Sequence, residues 1–233
     1  SRLFGDDRPV RVLIGCAPCQ PFSTNNSKRT KNDTDDKWTL VGRFVDVVES
    51  VRPNIVSMEN VPNLMSFDGG RILSENVERL RAMGYRVSTE VVTCAAYRVP
   101  QSRKRLVILA SQFGEIRMLP GELQPDNYRT VWQTIGHLEE LEAGETSNQD
   151  ALHKARGLSD VNLRRIQQSR PGGTWQDWDE ALVAACHVRP TGRTYKGVYG
   201  RMEWDAPAPT ITAQFYGYGS GRFGHPTQNR ALS

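Results

Sequence analysis

A cysteine that follows a short apolar run is the feature that most constrains this chain. The run Val10–Ile14 is apolar enough for a buried β-strand, and residues 24–37 beyond it are polar and charged without helical or strand periodicity. In an open α/β sheet, ligands bind and reactions occur where the strands end. We therefore expect Cys19 to lie in a functional site, on a backbone stiffened by Pro18 and Pro21. For a cysteine considered alone, a buried structural role is the alternative.

A carboxylate follows the next predicted strand. Residues 38–51 have apolar side chains at helical spacing, on a face wide enough to pack against a sheet. Residues 54–58 then read as a strand that leads directly into Glu59. Because parallel strands joined by a helical crossover end at the same edge of a sheet, we expect Cys19 and Glu59 to face one pocket.

A basic cluster lies between two further β-rich runs. The spacing predicts a helix over 71–83, then strands over 85–94 and 106–110. Arg103 and Arg105 precede the last of these runs and are two residues apart, which places them on one face of a strand. A run of surface charge is usually only solvated, but this spacing favours a shared target.

Composition and length limit the class of protein. The 233 residues are 38% hydrophobic, enough for one large domain or a domain with a smaller lobe, and no apolar run approaches a membrane span. Four cysteines do not form a disulfide framework in a chain of this length, so a reducing cytoplasm is expected. The chain opens without a secretory signal or Met, and we interpret it as a fragment.

Charge is unevenly distributed along the second half of the chain. The net charge of +4 conceals a segment, residues 120–150, with seven acidic side chains against one arginine, whereas residues 151–203 carry nine basic side chains against five acidic ones. Such a basic region is typical of nucleic-acid binding. Within it, Arg170–Trp175 and Trp178 either form loops that reach a nucleic-acid groove or supply tryptophans to a small core of their own.

Four motifs in order carry a resemblance to the DNA cytosine-5 methyltransferases. They are Pro18-Cys19-Gln20, Glu59-Asn60-Val61, Gln101-Ser102-Arg103-Lys104-Arg105 and the segment 201–212. The resemblance covers almost the whole chain. It implies an α/β, Rossmann-like S-adenosylmethionine-dependent catalytic domain, incomplete here, with a smaller irregular target-recognition lobe. The implied boundaries are residues 1–118 for the core, 119–198 for target recognition, and 199–233 for a segment that braces the recognition region.

The resemblance also implies the catalytic residues. Cys19 would add to C6 of a cytosine flipped out of double-stranded DNA, making C5 nucleophilic toward a methyl donor. Glu59 would donate a proton to N3, which requires a carboxyl group kept partly protonated by burial. Arg105 would contact O2 of the base, and Arg103 would hold neighbouring groups in place.

Cofactor and DNA contacts follow from the same resemblance. Only Pro18 and Leu40 match family positions that touch S-adenosylmethionine, since the glycine-rich cofactor motif would lie upstream of residue 1 and the closing helix beyond residue 233. The fragment alone is therefore expected to bind the cofactor weakly, to be inactive and to self-associate. The DNA-contact candidates are Gln20, Ser23, Lys28, Arg29, Arg164, Arg165 and Arg170.

Other functions remain open at this point. The chain could be an inactive DNA-recognition subunit of a split methyltransferase, and a cognate restriction endonuclease is a further possible partner. The Cys16-x-x-Cys19 spacing suggests a thiol redox site, but redox pairs of this kind open a helix, whereas a long polar loop follows here. Zinc binding is disfavoured because Cys94 and Cys186 stand apart and Cys186-His187 lacks a second ligand pair. No membrane partner is expected.

Overall fold

The structure is a computed structural model that describes residues 10–18, 39–189, 192–193 and 196–233. The described residues form two compact units. The first unit comprises the residues up to Thr93 together with Lys104–Gly121, and the second comprises Cys94–Arg103 together with Glu122–Ser233. The Gln-x-Arg-x-Arg motif therefore begins in the second unit and ends in the first.

The first unit is built on a four-stranded sheet in the order β1-β2-β4-β3. The strands are β1 (Val12–Gly15), β2 (Ile55–Asn60), β3 (Arg86–Thr93) and β4 (Lys104–Ser111). β1 and β2 are parallel, with Gly15 opposite Met58, whereas β4 runs antiparallel to both β2 and β3. The predicted common edge at the ends of β1 and β2 is thus confirmed.

Two amphipathic helices cover one face of this sheet. They are α1 (Leu40–Val51) and α2 (Arg71–Ala82), with short 3-10 turns at Pro62–Met65 and Phe67–Gly70 between β2 and α2. Val41, Val45 and Val48 of α1 pack with Val56 and Leu106 of the sheet in one buried cluster. Burial of each such side chain contributes roughly 1.5–3 kcal/mol, so this layer holds β1 and β2 in register.

β1 is more exposed than its apolar sequence predicts. Val12 is 44% exposed and Ile14 is 74% exposed, whereas Leu13 between them packs against the core. Among the described residues β1 pairs only with β2, and the two helices cover only the face to which Leu13 points. The expectation of a buried strand is therefore wrong for this chain.

The second unit has little regular structure. Its helices are α3 (Val131–Ile135), α4 (Asp160–Gln168) and α5 (Ala185–Val188), with 3-10 turns at Cys94–Tyr97, Pro125–Asn127, Trp175–Asp177, Glu180–Leu182 and Tyr218–Ser220. Trp175 and Trp178 pack with Ile166 and Tyr218 in a buried cluster. These two tryptophans are core residues, which decides between the two interpretations that the sequence left open.

The segment 201–212 forms no strand in the described part of the chain. The segment instead makes an isolated bridge from Ala208 to Gln101, and the backbone N–H of Ile211 donates to Oε1 of Gln101 at 3.1 Å. Its prolines at 207 and 209 have no N–H to donate, which limits ladder formation. Within the described part of the chain, no helix is long and apolar enough to cross a membrane.

Candidate active site at the ends of the parallel strands

Asn60 joins the two strand ends at which the site is expected. Its side chain is 1% exposed, and its Nδ2 donates to the carbonyl of Ala17 at 3.2 Å while its Oδ1 accepts from the N–H of Val61 at 2.8 Å. Ala17 is itself buried and lies two residues before Cys19. Because a buried amide must find partners, this pair of bonds fixes the backbone that leads into the cysteine motif relative to the end of β2.

The last residue of β1 is a glycine because a helix approaches it closely. A Cβ built on Gly15 would lie 2.2 Å from the ring of Phe44 in α1. No side chain fits there unless the ring moves, so Gly15 allows α1 to pack directly over the strand end. The chain therefore leaves the end of β1 beneath the packed ring of Phe44.

Glu59 and Arg105 form an ion pair on the face of the sheet opposite the helices. Oε2 of Glu59 lies 3.1 Å from Nε of Arg105, and the side chains are 37% and 17% exposed, respectively. Glu59 is paired in register with Val107, so Arg105 is its diagonal neighbour on the same face. Oε2 of Glu59 is buried, although the side chain as a whole is 37% exposed.

Arg103 is not part of the strand that carries Arg105. β4 begins at Lys104, and the carbonyl of Arg103 accepts from the N–H of Cys94 at 2.8 Å just before it. The prediction that both arginines lie on one face of a strand is therefore wrong for Arg103, and only Arg105 lies in β4.

The nucleophile candidate falls outside the described residues. Four of the DNA-contact candidates also lie outside them. The residues concerned are the nucleophile candidate Cys19 and the DNA-contact candidates Gln20, Ser23, Lys28 and Arg29. The two cofactor candidates are described: Pro18 is exposed after β1, and Leu40 is partly buried as the first residue of α1. Both side chains are accessible enough to offer an apolar contact to a ligand.

The three candidate DNA-contact arginines of the second unit have different surroundings. Arg164 is exposed on α4. Arg165 instead donates from Nε to the carbonyl of Leu182 at 2.8 Å and lies over the rings of Trp178 and Tyr199. Arg170 is 73% exposed and lies 3.1 Å from a carboxylate oxygen of Asp177. Only Arg164 and Arg170 are accessible in the way that a phosphate contact requires, because Arg165 is engaged within its own unit.

Arg201 organises the interior of the second unit. It is buried, and its Nε, Nη1 and Nη2 donate to the carbonyls of Ser169, His225 and Ile166, each at 2.8 Å. Burial lowers the pKa of Arg201. One guanidinium thus connects α4 to the segment after Tyr218.

Two other buried groups in this unit have perturbed pKa values. Burial, with Arg230 and Arg201 nearby, lowers the pKa of His225 to about 3, and its Nδ1 accepts from the N–H of Gln228 at 3.0 Å. Burial raises the pKa of Tyr218 to about 12. Both groups are therefore neutral at physiological pH, and both serve packing and hydrogen bonding.

Asn60 belongs to the second motif, yet the sequence alone assigns it no role. A polar residue that follows a buried strand and a carboxylate is a signal for a buried anchor, but only the pairing of β1 with β2 shows what it reaches. The close approach of Phe44 to Gly15 is likewise absent from the sequence pattern, because it depends on how α1 packs against β1.

Comparison with known proteins agrees with this architecture. The family described as C-5 cytosine-specific DNA methylase matches residues 4–233. The chain is 48% identical to the type II methylase M.HgiDII of Herpetosiphon aurantiacus over 96% of its own length and 62% of that protein. It is 32% identical to the type II methyltransferase M1.HphI of Haemophilus parahaemolyticus over 97% of its length and 57% of that protein.

A solved structure shares the fold. A protein described as a DNA modification methyltransferase encoded within a prophage of E. coli superposes with a TM-score of 0.64 over 97% of this chain and 67% of that one, at 16% identity. The fold is that of a methyltransferase domain. The chain belongs to the C-5 cytosine-specific DNA methylase family, and it spans about three fifths of the length of the two curated relatives above.

Proposed function

We propose that this chain carries the catalytic pocket of a DNA cytosine-5 methyltransferase that uses S-adenosylmethionine and forms a covalent bond between Cys19 and C6 of cytosine. The observation that supports this most strongly is the hydrogen bond from Asn60 to Ala17. It brings the backbone before Cys19 to the end of β2, where Glu59 and Arg105 lie together.

The residues divide the reaction between them. The Cys19 thiolate donates an electron pair to C6, and the ring electrons move toward N3 and O2, where Glu59 supplies a proton and Arg105 a hydrogen bond. C5 is then nucleophilic. S-adenosylmethionine, when bound against Pro18 and Leu40, supplies the methyl group. Transfer of the C5 proton to water, return of the N3 proton to Glu59 and release of the Cys19 thiolate restore the aromatic ring.

The ion pair between Glu59 and Arg105 suggests how the pocket responds to the base. The N3–O2 edge of cytosine presents two neighbouring groups, and the two side chains are spaced to take one each. Binding would separate Arg105 from Glu59 and exclude water from the carboxyl group. Both changes favour the protonated acid that N3 requires.

The whole enzyme would act on cytosine in double-stranded DNA. Arg164 and Arg170 are candidate phosphate contacts because both are exposed. The type II names of the relatives suggest a restriction-modification system with an endonuclease partner.

The test uses DNA in which the target cytosine is replaced by 5-fluorocytosine. Release of the enzyme requires a base to remove the C5 hydrogen, and a fluorine at C5 is not removed in this way, so the covalent adduct is trapped. In the protein joined to the preceding segment of its reading frame, with S-adenosylmethionine present, an adduct stable to denaturation is expected. Cys19→Ser should abolish the adduct, whereas the matched Cys16→Ser should retain it. An adduct that persists in Cys19→Ser would exclude Cys19 as the nucleophile.

A further inference from the structure

The sheet has a second functional edge, at the opposite ends of the strands from Glu59. Val12, Ile55, Ser111 and Arg86 lie in register across the four strands. β1, β2 and β3 begin at this edge and β4 ends there. Along β2 it is about 17 Å from the Asn60 end, at ~3.3 Å per residue. It is therefore separate from the candidate active site.

Hydrogen bonds fix three chain segments at this edge. Oδ1 of Asn54 accepts from the N–H of Arg11 at 2.9 Å, and the carbonyl of Asn54 accepts from the N–H of Gln112 at 3.0 Å. Nη2 of Arg11 donates to the carbonyl of Arg52 at 2.9 Å. Arg11, Arg52 and the residues after β4 are thus held side by side.

The edge carries more positive charge than its carboxylates neutralise. Arg81 is paired with Glu78 at 2.7 Å, and Arg117 is paired with Glu115 at 2.8 Å. Within the part of the chain that the structure describes, Arg11, Arg52 and Arg86 form no ion pair. The hydroxyl group of the neighbouring Tyr85 donates to the carbonyl of Pro53. Burial raises the pKa of Tyr85, and the charges of Arg52 and Arg11 act in the opposite direction.

An exposed aromatic ring and an open cavity complete the surface. Phe113 is 65% exposed just beyond β4. A cavity of about 720 Å³ lies at the β3 side of the edge and is lined by Arg81, Gly84, Tyr85, Arg86, Val87 and Glu115. Its volume is within the range of small-ligand pockets. Solvent-exposed phenylalanine among arginines has no packing role, but it suits a partner that has both anionic groups and planar rings.

A nucleic-acid strand has that chemistry. Arginines neutralise its phosphates, and bases stack on exposed aromatic side chains without regard to sequence. Neighbouring strands of a sheet are about 4.8 Å apart, so the positions from Arg11 to Arg86 span roughly 14 Å. That distance covers about two nucleotide steps of an extended strand, so the outer arginines would contact phosphates that are not adjacent.

We propose that the edge formed by Arg11, Arg52, Phe113 and Arg86 binds a nucleic-acid strand, with the arginines on phosphates and the phenyl ring stacked on a base. This surface is additional to the candidate active site and does not depend on methyl transfer. It would hold a strand that is not being modified.

The experiment measures binding of oligothymidine to the 233-residue chain. This probe contains no cytosine and so has no target for the candidate active site. In Arg52→Asn/Arg86→Gln, the slope of log affinity against log salt should fall by about 1.4, since each phosphate contact on a single strand contributes about 0.7. Asn is chosen at position 52 because the residue has φ +50°, which Asn tolerates. Phe113→Ala should weaken binding roughly 5- to 100-fold, the range for loss of one stacked base.

The controls locate the interaction. Arg43→Gln/Arg71→Gln removes the same charge from exposed arginines of α1 and α2 in the same unit and should leave both quantities unchanged. An oligothymidine with 5-iodouracil should photocross-link to Phe113. Circular dichroism verifies that each variant is folded. Unchanged affinity and salt slope in Arg52→Asn/Arg86→Gln, no effect of Phe113→Ala, or equal displacement by polyglutamate would each overturn the proposal.

Discussion

The side-chain amide of Asn60 lies 3.2 Å from the carbonyl oxygen of Ala17, and this contact links the ends of two parallel strands. The strands themselves are held by backbone hydrogen bonds up to Gly15 and Met58. Beyond those residues the chain leaves the ladder, and the buried amide takes over the connection. The position of the backbone at Ala17, two residues before Cys19, therefore depends on the side chain of Asn60.

Asn60→Ala should lower the free energy of unfolding by about 1–3 kcal/mol, because it leaves the carbonyl of Ala17 and the N–H of Val61 without their buried partner. Urea denaturation measures this. Asn63→Ala, three residues further on and exposed, is the matched control and should change stability by less than about 0.5 kcal/mol. Equal stability of the two variants would show that the amide is not an anchor.

Glu59→Gln should reduce methyl transfer by about 10²- to 10⁴-fold, the usual contribution of a general acid. Single-turnover transfer of a labelled methyl group in the extended protein is the measurement. The control is Glu90→Gln, since Glu90 is paired with the same Val107 from the neighbouring strand and lies on the same face. If both variants lose the same activity, the role of Glu59 is only to supply charge to that face.

Arg164 and Arg165 should respond differently to substitution although they are adjacent. Arg164→Gln should reduce the slope of log affinity against log salt for duplex DNA by about 0.9, with stability unchanged, because its side chain is exposed. Arg165→Gln should lower the free energy of unfolding by about 1–3 kcal/mol, because it loses its hydrogen bond to Leu182. Salt titrations and urea denaturation of both variants separate the two outcomes, and a reversed pattern would contradict the assignment.

His225 should make the second unit sensitive to acid. Its pKa is about 3 in the folded chain and about 6.5 in the unfolded chain, so the unfolded state binds the extra proton between these values. Its stabilising contribution is complete above pH 6.5 and is lost as the pH falls toward 3, by up to about 1.4 kcal/mol per pH unit.

His225→Asn tests this by keeping an acceptor near the position of Nδ1 while removing the titrating ring. Urea midpoints between pH 4.5 and 7.5 should decline less steeply in the variant than in the original chain. All other titrating groups are common to the two proteins. Parallel pH profiles would mean that the pKa of His225 does not change on folding.

The local sequence was sufficient for the elements of the first unit. Apolar residues at helical spacing define α1, and the run ending at Met58 defines β2, because their side chains bury one face whatever the rest of the chain does. The parallel crossover then places the residues after β1 and β2 at one edge, a consequence of chain connectivity alone.

Tertiary structure decided what each charged and aromatic side chain does. Trp178 and Arg165 are residue types that are typical of a DNA-binding loop. Trp178 is nevertheless buried in a core, and Arg165 donates a hydrogen bond to the carbonyl of Leu182. Sequence also predicted a buried β1, but burial requires neighbours on both faces, and a pattern in one strand carries no information about them. Glu59 illustrates the same limit: its position follows from the strand, whereas its ion-pair partner Arg105 lies 46 positions away in the chain and 3.1 Å away in space.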